Sequence, residues 1–157
     1  MHLRKFQVAD AARIAELVGN YEVSKWTSSI PHPYSTEDAT AWVHSAESDT
    51  VRHPYAVEAN NELVACVSYW PDETGGIEIG YWVGQEYWGK GIATQALQML
   101  LAADFFPDDE RIVARIMEGN TGSQRVLEKC GFKLVESCTI LCRGKTIPSK
   151  LFIRQAQ

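Results

Sequence analysis

The sequence predicts a mixed α/β (α+β) fold, because strand and helix patterns follow one another in the order β-αα-βββ-α-β-α-ββ. Apolar and polar residues alternate over residues 77–83, which is typical of a strand with one buried face. From Ile92 to Leu101 the apolar residues recur at helical spacing. With 157 residues, 45% of them hydrophobic, the chain is expected to form a single domain over residues 1–157.

The N-terminal third is expected to contain one strand and two helices. The strand is predicted at Leu3–Phe6, and the first helix is predicted to be capped by Asp10 and to end at Gly19-Asn20. Residues 21–34 contain aromatic residues and prolines, so this segment is predicted to be irregular. A second helix, capped within Ser35-Thr36, is expected to follow it.

The rest of the chain is rich in strand patterns. Besides residues 77–83, strands are predicted at Tyr55–Ala59, Leu63–Trp70, Arg111–Met117, Phe132–Cys142 and Thr146–Arg154. The last helix is predicted at Thr121–Cys130 and is stopped by Gly131. Asn60-Asn61 and Arg143-Gly144-Lys145 are expected to form tight turns, because Asn and Gly tolerate the positive φ that such turns need.

The turn Gly89-Lys90-Gly91 precedes the helix that starts at Ile92. The backbone N–H groups around residues 89–94 are therefore the unpaired donors of a helix N-terminus, and such donors attract phosphate oxygens. The loop lacks the GxxxxGK[ST] spacing of nucleoside triphosphatases, and Thr94 stands where GxGxxG would need its last glycine. A nucleotide phosphate-binding protein is therefore disfavoured.

Residues 88–93, reading WGKGIA, resemble the acetyl-CoA loop [QR]-x-x-G-x-[GA] of the Gcn5-related N-acetyltransferase (GNAT) superfamily. Trp88 replaces the usual Gln or Arg, a departure that is familiar in the RimJ/RimL-like branch of ribosomal-protein N-terminal acetyltransferases, where YWGKGIAT is common. Residues 120–132 resemble a second block of that branch, NxxSxRVLEKxGF. The two blocks stand in the family's order, and weaker likeness covers nearly the whole chain.

This resemblance implies a fold, a cosubstrate and a set of contacts. The GNAT fold has a mixed, mostly antiparallel sheet of about seven strands with helices on both sides, and its strands 4 and 5 splay apart to form a slot for the pantetheine arm of acetyl-CoA. The Val83 N–H is then the expected donor to the thioester carbonyl. The residues that the resemblance places on the cosubstrate are Tyr81, Trp82, Val83, Gly89, Lys90, Gly91, Ile92, Ala93, Thr94, Asn120 and Ser123.

Two side chains are candidates for the chemistry. An acceptor amine is protonated at neutral pH, with a pKa of ~8 to ~10, so a base must take its proton. The resemblance points to Glu78 as this base, and the alternative is a solvated strand glutamate. Leu127 stands where many family members have a catalytic tyrosine. The resemblance to the RimL-like branch implies that Ser123 takes this role and gives the leaving thiolate a hydrogen bond; alternatively, Ser123 and Asn120 only shape a helix start.

The acceptor is expected to be a primary amine that receives the acetyl group by direct transfer. Residues expected near it are Trp26, Ile30, Tyr34 and Trp82, although such aromatic and apolar residues also fill cores. The RimJ/RimL resemblance favours a protein N-terminal α-amino group. A small-molecule acetyltransferase acting on an amino acid, polyamine or aminoglycoside stays open as an alternative, and so does a non-catalytic acyl-CoA binding or sensing module.

Composition narrows the class further. A net charge of -5 argues against a nucleic-acid partner, which would normally meet a basic face. No segment approaches the ~18 apolar residues of a membrane span, and the N-terminus lacks an apolar leader, so a soluble, cytoplasmic protein without membrane contact is expected. The four histidines show no metal-ligand spacing, and no metal is expected. A monomer or homodimer is compatible with these features.

Overall fold

The computed structural model describes residues 1–109 and 111–155. The strands are β1 His2–Arg4, β2 His53–Ala59, β3 Glu62–Pro71, β4 Ile77–Val83, β5 Arg111–Met117, β6 Lys133–Cys142 and β7 Lys145–Gln155. The helices are α1 Ala11–Val18, α2 Tyr21–Ser24, α3 Thr36–Ser48, α4 Ile92–Ala102 and α5 Thr121–Lys129. Short 3-10 turns at Val8–Asp10 and Gln85–Tyr87 precede α1 and α4.

The described strands form one sheet of seven strands in the order β1-β2-β3-β4-β5-β7-β6. All neighbouring strands run antiparallel except β4 and β5, which are parallel. This parallel pair is short, because only Ile77 with Ile112 and Glu78 with Val113 lie in register. Beyond Glu78 the two strands separate. The mixed, mostly antiparallel sheet and the splay of strands 4 and 5 are therefore confirmed.

Helices cover both faces of the sheet, as expected. On the α4/α5 face, the side chains of Ile77 and Ile79 pack with apolar residues of α4 and α5, chiefly Ala96, Leu97, Leu100 and Leu127. On the α1/α3 face, Ala56 and Cys66 pack with Ile14, Leu17, Ala39 and Val43. Because side chains alternate along a strand, neighbouring residues of β4 face opposite sides of the sheet. None of the described helices is both long and apolar enough to span a bilayer.

Three local predictions were wrong at the N-terminus. β1 ends at Arg4, because Phe6 turns into the α1/α3 core and packs edge-on against Trp42, with ring centroids 4.9 Å apart. Residues 21–24 form α2 and are not irregular, since the Asn20 side chain accepts a hydrogen bond from the Glu22 N–H and caps this short helix. The Asp10 carboxylate does not cap α1, because it accepts hydrogen bonds from Arg4 and the Gln7 N–H.

The predicted turns are confirmed. Asn60 and Asn61 have φ of 52° and 64° and join β2 to β3, and Arg143 and Gly144 have φ of 49° and 79° between β6 and β7. Successive residues with positive φ are what a two-residue antiparallel turn requires, because they match the twist of the strands. The second hairpin therefore projects a charged residue, Arg143, from its tip.

Candidate active site

The opening between β4 and β5 presents unpaired backbone groups of β4. The Gly84 N–H donates to the Val64 carbonyl at 2.9 Å, while Val83 lies opposite Ala65. Hydrogen-bonded and non-hydrogen-bonded pairs alternate along an antiparallel ladder. The backbone groups of Val83, and of Tyr81 two residues earlier, therefore point away from β3 and into the space that β5 has left.

Trp88 closes one end of this opening. Its indole Nε1–H donates to the Val83 carbonyl oxygen at 2.8 Å, which shows that this carbonyl points away from β3. Trp88 as a whole is 42% exposed. The residue that departs from the usual Gln or Arg of the loop motif thus contacts the strand end on which the thioester contact was predicted. The Val83 N–H remains oriented toward the opening.

The glycine loop forms an open cradle before α4. Gly89 and Gly91 have φ of 73° and 76°, a conformation that L-residues with side chains rarely adopt. A Cβ atom at either position would meet no other atom within 4 Å, so the space above the loop is free. The first turn of α4, which starts with Ile92, Ala93 and Thr94, directs its N–H groups toward this space.

Arg13 and Tyr87 fix the chain just before the glycine loop, and we call their contact the brace. The Arg13 guanidinium donates to the Tyr87 hydroxyl at 2.6 Å and to the Leu63 carbonyl at 3.0 Å. Lys90 is exposed, and its ammonium lies 5.8 Å from the centroid of the Tyr87 ring. Arg13 thus ties α1 and β3 to the segment that leads into the glycine loop. Sequence reasoning missed this brace, because its partners are 74 and 50 residues away along the chain.

On the α4/α5 face, the side chain of Tyr81 reaches α5. Its hydroxyl lies 3.0 Å from the Ser123 hydroxyl oxygen and 3.3 Å from the Ser123 carbonyl oxygen. The Asn120 side-chain oxygen accepts from the Ser123 N–H at 3.3 Å and caps α5. Burial raises the pKa of Tyr81 to about 12, so its hydroxyl keeps its proton at neutral pH.

On the α1/α3 face, Glu78 is held by two donors. Its Oε1 accepts a hydrogen bond from Arg115 Nη1 at 2.8 Å and one from the indole Nε1–H of Trp70 at 3.2 Å. The Glu78 side chain is 16% exposed, which disagrees with a solvated strand glutamate. Burial raises the pKa of Glu78, although the nearby charge of Arg115 opposes that rise.

Asp72 joins this group from the turn after β3. It accepts from Arg115 at 2.8 Å and from Arg111 at 3.0 Å, and its side chain is 2% exposed. Burial opposes its ionisation, but hydrogen bonds from Thr74, Arg115 and Arg111 lower the pKa of Asp72 to about 2. The two arginines are four residues apart on β5 and therefore share a face. That spacing was the available signal for these residues, which sequence reasoning missed.

A family model decides the class of this site. The model described as an acetyltransferase (GNAT) domain matches residues 1–133, a segment that includes the opening, the glycine loop and the Ser123 turn. The chain belongs to this GNAT family. It is an acetyl-CoA-dependent N-acetyltransferase.

Relatives of this GNAT enzyme agree with the assignment. An uncharacterized N-acetyltransferase p20 from Bacillus licheniformis is 28% identical over 138 residues, which are 83% of this chain and 78% of the relative. Mycobacterium smegmatis RimJ, solved in complex with CoA-disulfide, shares the fold with a TM-score of 0.84 at 23% identity, covering 98% of this chain and 81% of RimJ.

Two further solved structures share the fold and differ in the substrates that their names give. RimL, a ribosomal L7/L12 alpha-N-protein acetyltransferase in complex with coenzyme A, has a TM-score of 0.80 at 21% identity, covering 98% of this chain and 92% of RimL. The microcin C7 self-immunity acetyltransferase MccE, in complex with acetyl-CoA and AMP, has a TM-score of 0.83 at 19% identity, covering 98% and 91%. These likenesses establish the fold of the GNAT enzyme.

The residues of the opening fit acetyl-CoA. The free cradle at Gly89 and Gly91 suits a pyrophosphate, since helix N-termini bind phosphate groups through backbone N–H donors. The Val83 N–H and the Tyr81 backbone groups, which point into the opening, suit the amides of a pantetheine arm. Trp82 faces the other side of the sheet, and by the same alternation its backbone N–H and C=O point toward β3 and not into the opening.

The four predicted acceptor residues lie on or beside the α1/α3 face of the GNAT enzyme. Ile30, Tyr34 and Trp82 are partly buried and pack against the same core cluster. Trp26 is partly exposed, and the Lys25 ammonium lies 5.6 Å from the centroid of its ring. Because Trp82 and Glu78 share one face of β4, the structure brings three of these residues to the side of the sheet that carries Glu78.

Arg143, at the tip of the β6–β7 hairpin, binds residues 24–30, the segment that contains Trp26 and Ile30. Arg143 donates from Nη2 to the carbonyl oxygens of Ser24 at 2.8 Å and Ile30 at 2.6 Å. Arg143 Nη1 also lies 3.5 Å from the Thr27 carbonyl oxygen. The Arg143 guanidinium thus contacts three backbone carbonyl oxygens of residues 24–30. These contacts hold the segment against the β6–β7 hairpin.

Proposed function

We propose that this GNAT enzyme transfers the acetyl group of acetyl-CoA directly to a protein N-terminal α-amino group, with Glu78 as general base. The observation that carries the proposal is the arrangement around β4. Unpaired backbone donors lie in the opening, and a carboxylate held by two donors lies on the adjacent face. An amine that approaches from the α1/α3 face would meet Glu78 where β4 and β5 begin to separate.

Each residue has a defined task in this proposal. Acetyl-CoA supplies a thioester whose carbonyl carbon is open to attack by an amine. Glu78 takes the proton of the ammonium through water, because five strand positions separate it from Val83, and this leaves a nucleophilic amine. The Val83 N–H is a fixed donor for the oxygen on which negative charge develops, and one such donor lowers a barrier by ~3 kcal/mol. As the C–N bond forms and the C–S bond breaks, the nitrogen loses a second proton, which ends on the departing thiolate, and Ser123 offers a hydrogen bond to that sulfur.

Direct transfer is supported by the state of the cysteines. Burial raises the pKa of Cys66 to about 12, and it raises the pKa of Cys130 and Cys138 as well. Thiols with raised pKa values stay protonated at neutral pH and are poor nucleophiles. A covalent acetyl-cysteine intermediate at these positions is therefore disfavoured.

Two sets of observations bear on the acceptor, and they favour different classes of amine. The motifs at 88–93 and 120–132 resemble the RimJ/RimL-like branch, and RimL is named as an alpha-N-protein acetyltransferase. A small-molecule amine is the second candidate, and it is favoured by the equally good structural match to MccE, which was solved with AMP. We further propose that residues 1–157 act as one domain, since strands from both ends of the chain share a single sheet.

The test is the release of free CoA thiol from acetyl-CoA with a panel of N-terminal peptides, amino acids, polyamines and aminoglycosides. Turnover with peptides whose α-amine is free, and none with N-acetylated copies, supports the proposal. Turnover confined to small amines selects the second candidate. Tight CoA binding with no turnover across the panel would instead indicate a sensing module.

The base assignment has its own test in the variant Glu78→Gln. The amide retains an oxygen for Arg115 but cannot take a proton. We expect kcat to fall by ~100-fold, while the Kd of acetyl-CoA measured by calorimetry stays unchanged. Unchanged turnover in this variant would remove Glu78 from the mechanism.

A further inference from the structure

The two donors that contact Glu78 act on the same oxygen. Arg115 and Trp70 both donate to Oε1, at 2.8 Å and 3.2 Å. Within residues 1–109 and 111–155, no group donates a hydrogen bond to Oε2. A carboxylate with one oxygen engaged twice and the other unengaged has a fixed rotation about its last bond. Oε2 is then the atom whose lone pairs are free to accept a proton.

Both donors are themselves held in place. Arg115 is fixed by the buried carboxylate of Asp72, which also binds Arg111. Trp70 lies across β4 at Gly80, where a Cβ atom would come within 2.8 Å of the indole ring. The Arg52 guanidinium lies over the indole, with its central carbon 4.6 Å from the ring centroid. The absence of a side chain at Gly80 thus allows the indole to reach Glu78.

We propose that Arg115 and Trp70 are positioning residues, which fix the Glu78 carboxylate so that Oε2 is the atom that takes the proton of the acceptor amine. This inference rests on the proposed function, because it gives Glu78 the part of general base. In the proton transfer, one N–H bond of the ammonium breaks and one O–H bond forms at Oε2. Arg115 and Trp70 keep their protons throughout, since both only donate to Oε1.

The titratable groups that face Glu78 determine the direction in which its pKa changes when a donor is removed. Asp72 faces it from the β3 side, Arg115 from β5 and Cys138 from β6. Burial raises the pKa of Glu78, and both Arg115 and the Trp70 hydrogen bond lower it. Removing either donor should therefore raise the pKa of this carboxyl. The base would then be protonated, and inactive, up to a higher pH.

The experiment uses Arg115→Met and Trp70→Phe in the full chain. The first removes the charge, and the second removes the indole N–H together with the outer part of the ring that lies over Gly80. The Glu78 carboxyl is titrated by ¹³C NMR and assigned by comparison with Glu78→Gln. We expect its midpoint to move to higher pH by about one unit in Arg115→Met and by less in Trp70→Phe. We expect kcat to fall by ~10-fold with the Kd of acetyl-CoA unchanged.

The matched control is Arg111→Met. Arg111 contacts Asp72 and the 72–76 turn but makes no hydrogen bond to Glu78 among its described contacts. Its loss should weaken the fold while the Glu78 midpoint stays at the wild-type pH. If Glu78 titrates as in the wild type in both test variants and kcat is unchanged, the inference is overturned. Trp70→Phe keeps the test decisive if Arg115→Met does not fold.

The failure of this inference differs from a failure of the proposed function. The NMR titration needs no acceptor, so it reports on Glu78 even before a substrate is known. A wild type with no turnover on any acceptor contradicts the proposed function. A wild type that turns over, together with test variants that match it in kcat and in the Glu78 midpoint, contradicts only the positioning of Glu78 by these two residues.

Discussion

The Tyr81 hydroxyl illustrates how one contact can orient another group. Because it donates to the Ser123 oxygen at 3.0 Å, the Ser123 hydroxyl hydrogen is left free to point elsewhere, including toward a sulfur in the opening. A serine is too weak an acid to release a full proton easily, so its contribution is a hydrogen bond. In the proposed mechanism, Tyr81 would therefore act through Ser123.

The variant Tyr81→Phe tests this orientation. We expect kcat to fall by ~3-fold to ~10-fold, which is the effect of one misdirected hydrogen bond. The shape of the pH profile between pH 6 and 9 should not change, because the pKa of Tyr81 is raised to about 12 by burial and the group stays protonated there. Steady-state kinetics over this range are the measurement. A shift of either limb of the pH–rate profile along the pH axis would show that Tyr81 itself exchanges a proton.

Gly91 supports a second prediction at the residue scale. Its φ of 76° costs an L-residue about 1–2 kcal/mol, and a side chain would enter the open space of the cradle. We expect Gly91→Val to raise the Kd of acetyl-CoA by ~10-fold or more, measured by calorimetry. Gly144→Val is the matched control, because Gly144 has a φ of 79° in the distant β6–β7 turn. Equal affinities in the two variants would contradict the cradle.

At the scale of elements, the Arg143 contact joins two segments that are far apart in sequence. We expect Arg143→Ala to raise the KM of the acceptor by ~5-fold to ~10-fold, because residues 24–30 lose their shared anchor. The Kd of acetyl-CoA should stay the same, because the glycine loop is untouched. Arg143→Lys should recover only part of the effect, since an ammonium lacks the planar fork of donors. A change in acetyl-CoA affinity, with KM unaltered, would refute this assignment.

Elements differed in how well the sequence predicted them. The strand-loop-helix unit around Gly89 was predicted closely, because strict alternation, two glycines and a helical apolar pattern follow one another without a gap. The helix α2 was missed, since four residues are too few to show a period. β1 was misplaced because Phe6 continues the apolar pattern yet packs under α1 and α3.

The site shows the same division. The glycine loop carries a local pattern and the family resemblance points to Glu78, so both were candidates from the sequence. Arg115, Trp70 and Asp72 were not, because their proximity to Glu78 depends on strand register across β3, β4 and β5. Register is set by the packing of the whole sheet. A single sequence without its fold does not reveal it.

For the whole molecule, Asp72 links the β3–β4 turn to β5 at the base of the opening. Its pKa is lowered from an ordinary 3.8 to about 2. The folded state therefore binds this proton less readily than the unfolded state, and the resulting stability is present above about pH 4. It is lost as the pH falls toward 2, and it amounts to about 2 kcal/mol.

We therefore expect the free energy of unfolding to drop between pH 4 and pH 2, and Asp72→Asn to remove this part of the pH dependence while lowering stability at pH 7. Urea unfolding at several pH values is the measurement. Asp38→Asn serves as control for the loss of a carboxylate whose pKa is lowered. Hydrogen bonds from Ser35 lower the pKa of Asp38, but Asp38 lies on the exposed start of α3 and does not link two strands. If Asp72→Asn keeps the full acid sensitivity, another carboxylate must be responsible for it.

The short pairing between β4 and β5 has a consequence for the protein before it meets acetyl-CoA. Two pairs in register leave the end of β4 as a strand edge inside the sheet, with the same unsatisfied donors and acceptors as an edge at its margin. Such edges attract any extended chain. In the proposed complex, acetyl-CoA would also cover this interior edge, so the tendency of the ligand-free enzyme to associate and its ability to bind acetyl-CoA would depend on the same few backbone groups.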